Sequence, residues 1–196
     1  VRYGKEHTES QVISMNISQQ ELTFTACALL CASVGSVFDL RDRKVPNALS
    51  GPAIVAGLAL HTAFGGWRGL GDSAFAGLAA GALFLVFWIA GGMGAGDVKL
   101  MAAIGCITGF GPLGAVLIST AIAGGLFAIG LSIYHGRLRE TLRNVGVLVD
   151  HHRRQGFEPH PDLNVKTPRT LSMPFALPVA AGCLVTLCTL AWGAQS

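Results

Sequence analysis

Two carboxylates stand at the ends of apolar runs. Asp39 closes the run 22–38, and Asp97 follows the glycine-rich stretch Gly91-Gly92-Met93-Gly94-Ala95-Gly96. Carboxylates at membrane depth are costly and mark functional sites by default. Two of them held a few ångströms apart cannot both ionise easily, so they share one proton and supply an acid and a base in one site. One can then activate water while the other polarises a scissile carbonyl. That chemistry hydrolyses a peptide bond with no metal, no cofactor and no covalent intermediate. The chain holds no G-x-S-x-G and no H-E-x-x-H string that would offer another route. Glycines beside Asp97 have a physical use, because without a Cβ they let another backbone come close to the carboxylate. A plainer reading sets Asp97 down as an acid stabilised at a helix N-terminus and Asp39 as an interfacial charge.

The elements that must position this pair are apolar runs of helical length. A membrane span takes roughly 20 residues, with about 17 to 25 tolerated. Runs 22–38, 48–64, 73–91, 112–134 and 173–193 fit. The stretch 98–109 is shorter, and Gly109-Phe110-Gly111-Pro112 follows it as a turn signal, so it is either a short span in a thinned region or partly re-entrant. Counting it as a short span gives an all-α polytopic membrane protein of about six helices, with a polar tail at 1–21 and a basic loop at 135–172. Every Lys and Arg except Arg2, Lys5 and Arg68 then falls on one side, which the positive-inside rule makes cytoplasmic. Asp39 and Asp97 share that side, since only two clear spans separate them. Small residues such as Gly57, Gly77, Gly81, Gly105, Gly124, Gly125 and Gly130 are candidate helix-packing positions.

Composition agrees with this class. Charged residues are 13% of the 196, against about 25% in soluble domains, and mean hydropathy is +0.53. A disordered chain, a charged coiled coil and an ordinary cytosolic enzyme are excluded. The net charge of +3 comes from loop clusters and gives no nucleic-acid signal. Cys27, Cys31, Cys106, Cys183 and Cys188 form no C-x-x-C pair and lie in apolar runs, so they read as small hydrophobes rather than metal ligands. The mixed-sign tail before residue 22 reads as leading into a retained first span rather than as a cleaved signal.

Three elements resemble one family, in chain order over about residues 22–193. Gly94-Ala95-Gly96-Asp97-Val98-Lys99-Leu100 is similar to the G-x-G-D motif of intramembrane aspartyl proteases in its type IV prepilin peptidase form. Asp39-Leu-Arg-Asp-Arg-Lys-Val-Pro46-Asn47 resembles the other half of that site, and the run from Thr170 through Pro174-Phe175 resembles the family's last span. The resemblance implies a G-x-G-D aspartyl protease-like fold of six spans in a bacterial inner membrane. It implies catalytic aspartates at Asp39 and Asp97, and support or substrate contact from Gly94, Gly96, Lys99, Pro46 and Asn47. The implied activity is removal of the leader from a prepilin or pseudopilin at the cytoplasmic face, in type IV pilus assembly or protein secretion. No paired C-x-x-C motifs precede Asp39, which resembles the short form of Flp/Tad-type pili without methyltransferase activity.

Several residues keep two readings. Asp42 sits beside Arg41 and Arg43 at the wrong offset from Pro46, which favours Asp39. Lys99 is either an interface anchor with a snorkelling stem or a support for the site. Residues 137–154 place Leu138, Leu142, Val145 and Val149 at helical spacing, as in an amphipathic surface helix beside anionic lipid. Helix dipoles considered one helix at a time put the shared proton on Asp39 and leave Asp97 ionised. A small transporter or channel using Asp39 and Asp97 as proton or cation sites is the rival function, and an inactive relative serving pilus assembly is a third.

Overall fold

A computed structural model describes residues 2–42, 45–136, 138–155 and 174–194. Among them the regular structure is all helical: α1 (Arg2–Asp42), α2 (Asn47–Ile89), α3 (Ala95–Thr108), α4 (Phe110–Tyr134), α5 (Leu138–Gln155) and α6 (Ala176–Gly193). The protein is an all-α polytopic membrane protein. Four helices are long and apolar enough to cross a bilayer: the Gln19–Asp42 part of α1, then α2, α4 and α6. Their outward side chains include Leu30, Val34, Phe75, Ile118, Ile122 and Leu184, all exposed. So much contiguous apolar surface suits acyl chains, not water.

α1 runs further than the apolar stretch that seeds it. No Gly or Pro interrupts residues 5–34, so the helix continues back through the polar tail to Arg2. At its other end it passes Asp39 and stops at Asp42, shortly before Pro46.

α2 is 43 residues long, but it is not one rod. Gly66 has φ 57° and ψ −140°, a left-handed conformation that glycine tolerates and that breaks the helix there. Gly57 and Gly77 would lie about 30 Å apart on a straight helix, yet both pack on Cys106 of α3. The two arms of α2 therefore fold back on each other around Gly66 and hold α3 between them.

α3 is the hub. It is only 14 residues, about 21 Å long at 1.5 Å per residue. Leu100, Met101, Ala103, Ile104, Cys106, Ile107 and Thr108 are all buried. A helix apolar all round belongs inside protein, and this one has its longer neighbours in place of lipid. The core joins Ala28 and Ala32 of α1, Phe84 of α2, Leu100, Met101, Ile104 and Ile107 of α3, Val116 of α4, and Ala176, Val179 and Cys183 of α6.

Small residues make that packing close. A Cβ at Gly57 would stand 2.6 Å from the Cys106 carbonyl carbon, and one at Gly105 would stand 2.6 Å from the Ala76 carbonyl oxygen. Gly81 lies against Ala102, and Gly124 makes only ordinary contact with Pro178. Gly125 and Gly130 differ from the expectation of close packing: nothing lies within 4 Å of a Cβ built on either. They sit on the outward side of α4, where a small residue meets no neighbouring helix.

At the end of the molecule away from Asp39, Asp72 Oδ2 accepts the Phe110 N–H at 3.0 Å and caps α4. The His61 Nε2 lies 3.0 Å from the Ile107 carbonyl oxygen. These contacts tie the bend of α2 to the Gly109 turn between α3 and α4.

Candidate active site

Asp39 lies one turn before the end of α1, and Asp97 is the third residue of α3. α1 packs on α3: a Cβ at Gly35, one turn before Asp39, would lie 3.3 Å from the side chain of Leu100, about one turn after Asp97, so both carboxylates stand at the same end of the α1–α3 contact. Fifty-seven residues of sequence, including both arms of α2, separate two groups that the fold places at one end of the bundle.

Asp39 is 8% exposed. Its Oδ2 accepts a hydrogen bond from the Ala176 N–H at 3.1 Å. Ala176 is the first residue of α6, so this donor is one of the orphan N–H groups that every helix leaves at its N-terminus. Phe175, just before it, packs its ring on buried Phe84 at a centroid distance of 5.5 Å. The aromatic contact fixes where α6 begins and therefore where its N–H groups aim.

Asp97 is half-buried. Its Oδ2 accepts the Gly94 N–H at 3.1 Å. Gly94 is the extended residue that precedes α3, with φ −81° and ψ 152°. This is one half of a capping box: the N3 carboxylate reaches back to the N-cap N–H, and glycine has no side chain to return the bond.

A second helix end bears on the dipole contrast expected between the two aspartates. Considering α1 alone sets Asp39 at a helix C-terminus, but the N-terminus of α6 points at the same carboxylate. Each aspartate thus accepts a backbone N–H at a helix N-terminus, and at Asp39 the α6 N-terminus opposes the effect of the α1 C-terminus. Each also keeps its other oxygen, Oδ1, outside these bonds.

The supporting residues fall around the pair. Gly96 lies against the chain's own Val45: a Cβ there would be 3.3 Å from the Val45 N. The close backbone approach that this glycine permits is therefore made by the segment leading into α2. Pro46, with φ −68° and ψ 143°, precedes α2, and its carbonyl oxygen accepts the Leu49 N–H at 3.0 Å. Asn47 opens α2, and its Oδ1 accepts a hydrogen bond from Lys99 Nζ at 2.8 Å. That bond ties the exposed start of α2 to the first turns of α3. Asp42 is exposed at the end of α1. Val45 is buried in the core beside Leu100, whereas neighbouring Arg43 and Lys44 lie outside the described residues.

The Ala176 N–H has no counterpart in the sequence reading. A backbone donor leaves no mark in residue type, and the Pro174-Phe175 pair before it was the one available signal. Among the described residues, no three His, Cys, Asp or Glu side chains gather as a metal site. Cys106 and Cys183 are buried free thiols within the helix packing.

Comparison with known proteins points the same way as the motifs. The chain is 37% identical over 133 residues to a prepilin leader peptidase/N-methyltransferase of Aeromonas salmonicida (strain A449), covering 62% of this chain and 44% of that protein. It is 35% identical over 125 residues to a protein of the same description from Burkholderia pseudomallei (strain 1026b), covering 59% and 38%. The chain spans less than half the length of these curated relatives. No solved structure matches it. Residues 24–129 match the type IV leader peptidase family, a stretch that runs from α1 through most of α4 and includes both aspartates, and the chain belongs to that family.

Proposed function

We propose that this chain is a membrane-embedded aspartyl endopeptidase that removes the leader of prepilin-like substrates at the cytoplasmic face of a bacterial inner membrane. The observation that carries the reading is that Asp39 and Asp97 stand at one end of the α1–α3 contact, each with one oxygen held by a backbone N–H. Held in this way, the carboxylates present their Oδ1 atoms as the positions for one shared proton. Family membership supports prepilins as the substrate class. The basic residues Arg41, Lys99, Arg139 and Arg143 follow the same end of the bundle, which supports the cytoplasmic orientation. In this reading the two arms of α2 cross separately and 98–109 is a short span enclosed by its neighbours, giving six crossings.

The reaction keeps one proton on the dyad throughout. The ionised aspartate takes a proton from water as the oxygen attacks the scissile carbonyl carbon. The protonated aspartate gives its proton to the carbonyl oxygen, forming a neutral gem-diol. On collapse the first aspartate protonates the leaving nitrogen, the second takes a gem-diol proton, and the C–N bond breaks. Acid and base exchange roles, and the dyad is again singly protonated. Lys99 and Asn47 hold the entrance to α2 against α3 and so position the Gly94–Asp97 turn.

The test is co-expression of the chain with a candidate prepilin, reading leader removal by gel shift. Cleavage is expected from the parent and absent from Asp39→Asn and Asp97→Asn. Continued cleavage by either variant overturns the dyad, and no cleavage by the parent across prepilins and pseudopilins overturns the peptidase reading.

A further inference from the structure

Helix α5 is the element that the proposed peptidase does not use. It lies outside the matched family region and carries four arginines against two acids. Its place is set by its neighbours. α4 leads away from the Gly109 turn and ends at Tyr134, whose side chain is 86% exposed. Gly136, at φ 65°, redirects the chain, and α5 begins at Leu138. The Thr141 and Ser132 hydroxyls are hydrogen bonded at 3.1 Å, which fixes the rotation of α5 against the end of α4. Further along, α6 starts beside Asp39. α4 runs from the Gly109 turn toward the end where α6 begins, so α5, bonded to the end of α4 through Thr141, starts on the side of the bundle that carries the two aspartates.

The first turns of α5 sort their side chains by face. Leu142 and Val145 share one side and are 62% and 52% exposed. Arg139 and Arg143 form an exposed row roughly 100° further round the helix, at about 100° per residue. Val147, 42% exposed, is the one exposed aliphatic side chain described on the side opposite Leu142 and Val145. An apolar face left uncovered, flanked by arginines, and starting where a span ends at a tyrosine is the pattern of a helix lying in a membrane interface.

We propose that α5 lies in the plane of the membrane interface on the face that carries Asp39 and Asp97, with Leu142 and Val145 among acyl chains and Arg139 and Arg143 on anionic lipid headgroups. The arginine stems reach along the apolar boundary while their guanidinium groups meet phosphate. The Thr141–Ser132 bond holds the start of α5 against the end of α4. This lipid contact is independent of peptide hydrolysis.

The test uses the full chain in bilayers of brominated phosphatidylcholine, with or without phosphatidylglycerol. Leu142→Trp and Val147→Trp are compared after subtraction of the parent's signal from Trp67, Trp88 and Trp192. With phosphatidylglycerol, quenching at Leu142→Trp is expected to exceed that at Val147→Trp by at least about threefold, as for a helix lying flat with one side in the acyl region. Adding Arg139→Gln and Arg143→Gln to Leu142→Trp is expected to lower its quenching in the anionic bilayer, while the Arg139→Lys and Arg143→Lys pair retains it. Equal quenching at both positions, quenching indifferent to phosphatidylglycerol, or shielding of Leu142→Trp only after a prepilin is added each overturns the proposal, the last in favour of a protein partner.

Discussion

Asp39 Oδ2 accepts the Ala176 N–H across 137 residues of chain. The bond makes the start of α6 part of the carboxylate site, and it separates two roles of one side chain. Asp39→Asn keeps an oxygen for the Ala176 N–H but removes the ionisable group. It is expected to leave the thermal transition in detergent near that of the parent and to lower leader cleavage by at least about a hundredfold, the usual scale of a general acid–base group. Asp39→Ala removes the acceptor as well and strands a buried N–H, which costs about 1–3 kcal/mol. Its thermal transition is therefore expected to fall below that of Asp39→Asn while activity is lost equally. Equal transitions for the two variants would show that the bond to α6 has no structural weight.

A dyad that works with one proton has a two-sided pH profile. At low pH both carboxyls are protonated and no base remains; at high pH both are ionised and no acid remains. Leader cleavage by proteoliposomes is therefore expected to rise and then fall with pH, with both limbs belonging to the coupled pair. A profile with a single limb contradicts proton sharing between Asp39 and Asp97.

Much of this site is legible in residue types, and the illegible part has a physical cause. Gly94-Ala95-Gly96-Asp97 and Pro46-Asn47 stand out because glycine, proline and a boundary carboxylate are rare choices with local consequences. The run 98–109 reads as awkwardly short, and burial of α3 on all sides explains why it needs no lipid-length helix. The donor on Ala176 is invisible because a backbone N–H looks the same at every residue. It sets a second helix end at Asp39, which the residue types of α1 do not show. Gly105 and Gly125 look alike in sequence, yet only Gly105 faces a neighbouring backbone. Which side of a helix is covered depends on contacts between distant segments.

Lys99 and Asn47 offer a coupling test. Their 2.8 Å bond is exposed, so each single alanine variant is expected to change stability by no more than about 1 kcal/mol. If the bond positions the Asp97 turn, Lys99→Ala and Asn47→Ala each lower kcat for leader cleavage with little change in KM. The double variant is then expected to be no worse than the poorer single one, as for residues acting through one contact. Effects that multiply would mean that the two side chains act separately.

The glycine contrast can be measured without any substrate. At Gly105 a methyl group would meet the Ala76 carbonyl oxygen at 2.6 Å, and that oxygen belongs to a helix backbone that cannot step aside. Gly105→Ala is expected to cost about 1–3 kcal/mol, the range for overpacking, seen as a lowered thermal transition and a loosened α2–α3 contact. At Gly125 the methyl group would enter open space on the outward side of α4, where alanine favours helix by about 0.5–1 kcal/mol. Gly125→Ala is thus expected to leave the transition unchanged or raise it. If the two variants behave alike, the arms of α2 do not clasp α3 as closely as the carbonyl oxygen at Ala76 requires. Because α3 carries Asp97 and the clasp holds α3 against α1, Gly105→Ala is also expected to lower leader cleavage, and Gly125→Ala to spare it.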